Sequence, residues 1–229
     1  VSRGIRGMLL TQKIPEQNIA LIYLGVDTSK FSARSTPSRQ EVRREFGLPQ
    51  DKLMVGCLGR PRKGQQRLLE ADRSLRSECP NLCYFFAGEG IPEALSPRLE
   101  ADLGLQNRVV LRDLLPHDKM PAILKALDLV AHIPEREPFS NAVLEAMAMQ
   151  KPMILSRTLG NIEAAEEGKS AFFVDPHNLE DIANKLKHLY QSPDLRESLG
   201  QFALRRAQEL FDEEHMLNQM ENLWTGLIK

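Results

Sequence analysis

From residue 53 onward the chain alternates between short, almost unbroken apolar runs and segments with helical spacing. The apolar runs fall at 53–58, 82–87, 109–111, 127–133, 152–155 and 171–174. Between them, residues 64–78, 93–103, 119–126, 140–149 and 162–167 are patterned as helices. A strand apolar on both sides has no face for water, and a helix after each one supplies the cover. This predicts an α/β fold with a parallel sheet and helices on both faces. Upstream, residues 2–12 predict a helix with Ile5, Met8 and Leu9 on one face. Residues 19–24 predict a short strand ended by Gly25-Val26-Asp27. Residues 28–40 read as a loop, and 41–47 as a charged helix closed by Gly47. Residues 178–190 predict a helix, followed by a long helical tail to Lys229.

The 229 residues suit one large domain, or one domain with appendages. Hydrophobic residues make up 42%, enough for a sizeable core. Thirty basic residues against 31 acidic ones argue against a general nucleic-acid binder, which shows a basic excess. Cys57, Cys79 and Cys83 lack metal-like pairing and read as reduced thiols. No His, Cys, Asp or Glu grouping has metal-ligand spacing. No apolar run approaches the ~20 residues that span a bilayer, and no signal-peptide pattern is present. Val1-Ser2-Arg3 opens without Met and goes straight into helical patterning, which reads as the continuation of a longer chain.

Strand ends that feed helices are where open α/β sheets bind ligands. Glu137 falls in the loop after the run 127–133, and Glu145 lies inside the next helix. Two carboxylates so placed would bind hydroxyls around one crevice. Glu145 stands among Val143, Leu144, Ala146, Met147 and Ala148, where a carboxylate is costly without a partner. Ser140 or Asn141 would cap that helix, and its first N–H groups, around Phe139 to Ala142, suit a phosphate. Gly59-Arg60-Pro61-Arg62-Lys63-Gly64 follows the first strand of the series. It is either a loop that neutralises a diphosphate or a basic surface turn, and its order is not that of a Walker A loop. Gly88-Glu89-Gly90 reads as a plain turn, because a dinucleotide fingerprint would need a third glycine. Thr158 to Glu163 is either another ligand loop or a turn with a helix cap. The histidines are scattered, and His132 reads as a packed, neutral side chain.

In order along the chain, Gly25-Val26-Asp27 with Phe31, Gly59-Arg60, Lys63-Gly64, Ala87-Gly88-Glu89-Gly90, the 137–148 segment, Gly160 with Glu163, and Val174-Asp175-Pro176 resemble one family. They are similar to the C-terminal, donor-binding domain of retaining GT-B glycosyltransferases, the glycosyl transferases group 1 family. The resemblance implies a Rossmann-like domain, the C-terminal half of a GT-B fold, with a long C-terminal helical tail. Residues 1–24 would end a preceding domain and connect to it, 25–200 would bind donor, and 201–229 would dock back on that domain. It implies that Arg60 and Lys63 hold the diphosphate of a UDP- or GDP-linked sugar, and that Glu137 meets the transferred hexose near the reacting carbon. Glu145 would bind the ribose, backbone N–H groups of Phe139, Ser140, Asn141 and Ala142 would support sugar and phosphate, and Val110 and Leu111, with Arg112, would lie against the base. No metal and no cofactor are implied, since the nucleotide-sugar is a substrate. A sugar, lipid-linked or other acceptor would bind through the preceding domain, without which the chain should bind donor weakly and transfer nothing. The setting implied is bacterial polysaccharide or lipopolysaccharide synthesis, in the cytoplasm or at the inner membrane face. The alternative is a stand-alone, non-catalytic nucleotide-sugar binding module. The chain departs from the family in its short Arg60–Lys63 interval, which leaves open whether Arg62 or Lys63 meets the phosphate.

Overall fold

The computed structural model describes residues 2–33, 36–102 and 104–228. The expected helix end at 103, the tail end at 229, and part of the 28–40 loop lie outside them. Six strands form one parallel sheet: β1 (Leu53–Leu58), β2 (Leu82–Ala87), β3 (Val109–Arg112), β4 (Leu129–His132), β5 (Met153–Ser156) and β6 (Ala171–Val174). Their spatial order is β3-β2-β1-β4-β5-β6. Leu53 stands beside Leu82 in the register of β1 with β2, and Val55 beside Leu129 in that of β1 with β4. The order therefore reverses between β1 and β4, the place where such sheets open a crevice.

Successive strand residues point to opposite faces, so each strand feeds two cores. Met54, Phe85, Val130 and Leu155 point one way. They meet α5 (Met120–Ala126), α6 (Asn141–Ala148) and α9 (Pro193–Leu210) through Ile123, Met147 and Ala203. Val55, Phe86, Leu129 and Ile154 point the other way. They meet α3 (Gln65–Leu75), α4 (Ile91–Ala101) and α8 (Leu179–Gln191) through Leu68, Leu95 and Leu186. The three cysteines are buried free thiols. No helix among the described residues is long and apolar enough to cross a membrane.

Two expectations about the chain's outer parts need revision, while the long helical tail is present as expected. Residues 19–24 form no strand. A 3-10 turn at Glu16–Asn18 leads into extended chain, and Tyr23 and Leu24 pack on the core without joining the sheet. The segment's one bridge pairs Val26 with Asp212, where the Val26 N–H donates to the Phe211 carbonyl at 2.8 Å. The charged helix, α2 (Arg39–Glu45), starts two residues early because Ser38 and Glu41 form a capping box. The tail is two helices, α9 and α10 (Glu213–Ile228), and α9 runs through residue 200 without a break. Its Gly200 lies against the Gln150 backbone, where a Cβ would come within 2.2 Å of the carbonyl oxygen. The first helix, α1 (Arg3–Thr11), is capped by Ser2, whose hydroxyl accepts from the Ile5 N–H.

Two buried charges anchor the layers at the N-terminal end of the sheet. Arg43 of α2 is 1% exposed and donates to the carbonyls of Ala126, Pro49 and Lys52 and to Asp128. Asp72 of α3 is fully buried and accepts from Arg108 Nη2 at 2.8 Å and from Arg76 Nε at 3.0 Å. Removing one partner of such a pair leaves the other desolvated and uncompensated. Asp72→Ala should therefore lower unfolding free energy by about 3–5 kcal/mol, read from urea denaturation. A loss below about 1 kcal/mol would show that the pair is not holding α3 to the sheet.

Candidate functional site

The loop after β1 is built to approach β4 closely. Gly64 has φ +110°, and a Cβ there would lie 2.8 Å from the Ile133 Cβ. Only glycine meets both demands. The Ile133 N–H donates to the Lys63 carbonyl at 2.8 Å. Gln65, buried at the start of α3, locks the loop from within. Its Oε1 accepts from the Lys63 N–H at 2.9 Å, and its Nε2 donates to the carbonyls of Gly59 and Arg60 at 3.3 and 3.2 Å. So held, Lys63 reaches across to the loop after β4, where its Nζ lies 2.5 Å from Glu137 Oε2.

His132, the last residue of β4, donates from Nε2 to the same carboxylate oxygen at 3.0 Å. Its ring is 3% exposed, and the Glu137 side chain 9%. Burial pushes the His132 pKa down and outweighs the pull of the Glu137 charge, so the imidazole is held neutral. Burial alone would raise the Glu137 pKa, but the hydrogen bonds from His132 and Lys63 and the Lys63 charge hold it below the usual range. The result is a carboxylate kept charged in a nearly closed corner. His132 is the packed, neutral side chain expected, and it also orients Glu137.

Glu137 is placed from behind by its own backbone. Its carbonyl accepts from the Gly160 N–H at 3.1 Å, in α7 (Leu159–Ala164). A Cβ at Gly160 would come within 2.5 Å of the Pro138 carbonyl oxygen. The 158–163 segment is thus a support for the site. Its Glu163 accepts from the N–H groups of Arg3 and Gly4 at 2.7 and 2.9 Å, and from the Tyr23 hydroxyl at 3.0 Å. It caps α1.

The helix after Glu137, α6, starts without a side-chain cap: neither Ser140 nor Asn141 serves its first N–H groups in that way. Phe139 turns its ring into the core, stacked on Tyr23 at 5.6 Å and tilted on Phe211 at 5.7 Å. Its side chain so fixes the turn into α6. Ala142 is half-buried. Glu145 stands one turn further in, with its side chain 12% exposed, and lies 2.9 Å from His117 Nε2. Lys30 Nζ lies 3.2 Å from the other nitrogen of His117. Burial pushes the Glu145 pKa up, and the His117 hydrogen bond only partly offsets it. Glu145 and Asn141 share a cleft of about 210 Å³ with Gly25, Asp27, Lys30 and His117.

The remaining expected residues are less tightly joined to this group. Arg60 is 77% exposed and pairs with Glu89 at 2.6 Å. Arg62 has φ +84° and is exposed. Lys63, not Arg62, is the cation that meets Glu137. Val110 and Leu111 sit on the edge strand β3, packed on opposite cores. Neither lines the Glu145 cleft or the cavity beside Lys63. Gln65, His117 and Lys30 do not stand out in the sequence. Gln65 offers one signal there: it is the first polar residue after a glycine that opens a helix.

Comparison with known proteins identifies the family and the fold. Residues 38–206 match the family described as glycosyl transferases group 1. The D-inositol 3-phosphate glycosyltransferase of Corynebacterium jeikeium is 31% identical over 194 residues, which are 81% of this chain and 46% of that protein. The chain spans about half the length of the curated relatives it matches. Among solved structures, Anabaena Alr3699/HepE in complex with UDP-glucose superposes with a TM-score of 0.86 at 24% identity, over 98% of this chain and 62% of that one. The C-terminal domain of a glycosyl transferase group 1 family protein (LpcC) from Francisella tularensis superposes with a TM-score of 0.71 at 24% identity, over 82% of this chain and 99% of that one. The fold is the GT-B-like Rossmann fold. With the family match running from the capping box of α2 into α9, the chain belongs to the glycosyl transferases group 1 family.

Proposed function

We propose that the chain is the donor-binding half of a retaining glycosyltransferase that takes a UDP- or GDP-linked hexose. The observation that carries this reading is the convergence of Lys63, His132 and Glu137 at the uncapped start of α6, with Glu145 one turn further in. In this reading Lys63 and Arg60 neutralise the diphosphate, and the backbone N–H groups at 139–142 add the positive end of a helix. Charge grows on the nucleoside diphosphate as it leaves, and cations already in place stabilise it without reorganising. The diphosphate draws Lys63 off Glu137, which frees that carboxylate for hydroxyls of the transferred sugar. Glu145 takes the ribose hydroxyls, and the base lies toward Val110 and Leu111.

The relatives support the wider assignment. HepE is described with UDP-glucose, and the LpcC domain, almost wholly covered, is described as C-terminal. Residues 1–24 then connect to a preceding domain, 25–200 hold the donor, and 201–229 return toward that domain, which brings the acceptor. The chain by itself binds donor weakly and transfers nothing. Synthesis of a bacterial polysaccharide or lipopolysaccharide at the inner face of the membrane is the setting we favour. No cofactor or metal enters the scheme.

Two measurements test it. Lys63→Ala and Glu145→Ala each remove a charged hydrogen-bond partner, about 1.5–3 kcal/mol, so calorimetric Kd values for UDP-glucose or GDP-mannose should rise about 10–100-fold. Unchanged affinity in both variants for both nucleotides would sink the assignment. The second is pH dependence. Because burial raises the Glu145 pKa, its carboxylate is lost at a higher pH than an exposed glutamate's. UDP-glucose binding should weaken as pH falls from about 7 to about 5, and Glu145→Gln should flatten that slope. Parallel profiles for the two proteins would remove Glu145 from the ribose.

A further inference from the structure

A cavity of about 770 Å³ lies beside the Lys63 loop, between the first turns of α3 and α4 and residues 133–136. Glu145 is not part of it. Five cationic side chains line it, Arg60, Arg62, Lys63, Arg67 and Arg136, against one carboxylate, Glu135. The whole chain carries a formal charge of only −1, so the concentration is local. Three of the five are engaged elsewhere: Arg60 with Glu89, Lys63 with Glu137, and Arg67 with Glu70. Arg62 and Arg136 have no hydrogen bond or ion pair among the described residues. Two guanidinium groups are thus left without a counter-charge at one cavity.

The walls add to this. Both α3 and α4 open with a left-handed glycine, Gly64 and Gly90, and neither helix has a side-chain cap. Their first turns, at 65–67 and 91–95, face the cavity. The first N–H groups of α3 present partial positive charge to the same space as the free arginines; α4 adds little, since its Ile91 N–H is taken by the Gly88 carbonyl and Pro92 has none. Arg62 holds φ +84°, a conformation that non-glycine residues take only at a cost. The floor is apolar, made by the buried Ile91, Leu95 and Ile133. The volume falls in the range of small-molecule pockets, about 300–1,000 Å³. It is more than a bare phosphate fills.

We propose that this cavity binds a phosphomonoester carried on a sugar or polyol, at a phosphate position of its own beside the donor's diphosphate, with the Arg60–Lys63 loop bordering both. Arg62 and Arg136 hold the phosphate, the start of α3 completes its shell, and the apolar floor carries the rest of the molecule. The inference rests on the donor reading only in leaving Arg60, Lys63 and Glu137 to the donor.

Calorimetry with glucose 6-phosphate, inorganic phosphate and glucose tests it on the wild-type chain, on the double variant Arg62→Gln/Arg136→Gln, and on Glu145→Ala. Both arginines are exposed and unpaired, so the double variant should keep its fold. The wild type should bind glucose 6-phosphate at least ~10-fold more tightly than glucose or inorganic phosphate. The double variant should weaken that binding by at least ~10-fold while UDP affinity stays within about twofold. Glu145→Ala should leave it unchanged. Absence of binding, equal affinity for inorganic phosphate and for glucose 6-phosphate, or loss in Glu145→Ala would each overturn the proposal. So would a tenfold fall of UDP affinity in the double variant, which would return the arginines to the donor. If UDP binds none of the three proteins while glucose 6-phosphate behaves as expected, the donor reading fails and this one stands.

Discussion

The site depends on how closely two loops approach across the point where the strand order reverses. Ile133 donates its N–H to the Lys63 carbonyl, and Gly64 leaves room for Ile133 to do so. That contact joins the two halves of the sheet at their open ends. It also sets the Lys63 ammonium over Glu137, which no property of either side chain alone would secure. Gln65 serves the same end from inside the loop, since its amide satisfies three backbone groups that would otherwise face the crevice. The side chains of the site are therefore ordered by peptide groups, and peptide groups are ordered by packing.

The charges in the crevice are arranged in two tiers. Glu137 is nearly closed off and holds its charge because Lys63 and His132 both touch one oxygen. Glu145 is also largely buried but has only an exposed imidazole for a partner, so its proton is less firmly lost. The difference comes from position. Glu137 sits where two strand ends converge, and Glu145 projects from a helix toward the 25–31 segment, which offers one lysine at a remove. Two carboxylates eight residues apart thus differ in how readily they accept a proton, before any ligand arrives.

Much of this is legible in the sequence, for a physical reason. Strands such as 53–58 and 82–87 are apolar at every position because both sides face helices, and few arrangements besides a covered parallel sheet produce that pattern. The 19–24 run has the composition of a strand, but its apolar residues serve a different purpose. Tyr23 packs on Phe139 and Phe211, away from the edge strands β3 and β6. Both carboxylates can be found because each is anomalous locally, one at a strand end and one in an apolar helix. Their partners cannot: His117 lies 28 residues from Glu145, and Lys63 lies 74 from Glu137, with nothing in either neighbourhood that announces the meeting. Long-range pairing is a property of topology, and the β3-β2-β1-β4-β5-β6 order that creates it is decided by connections with no local signature.

The short helix α7 has a mechanical role. At one end its Gly160 N–H holds the Glu137 carbonyl, and one residue before its other end the Glu163 carboxylate holds the first peptides of α1. Six residues of helix span only about 9 Å, too short to bend. The interior of the crevice and the seat of α1 are thus two points on one rigid strut. A shift of α1 has a path of a few hydrogen bonds and one short helix to the Glu137 peptide.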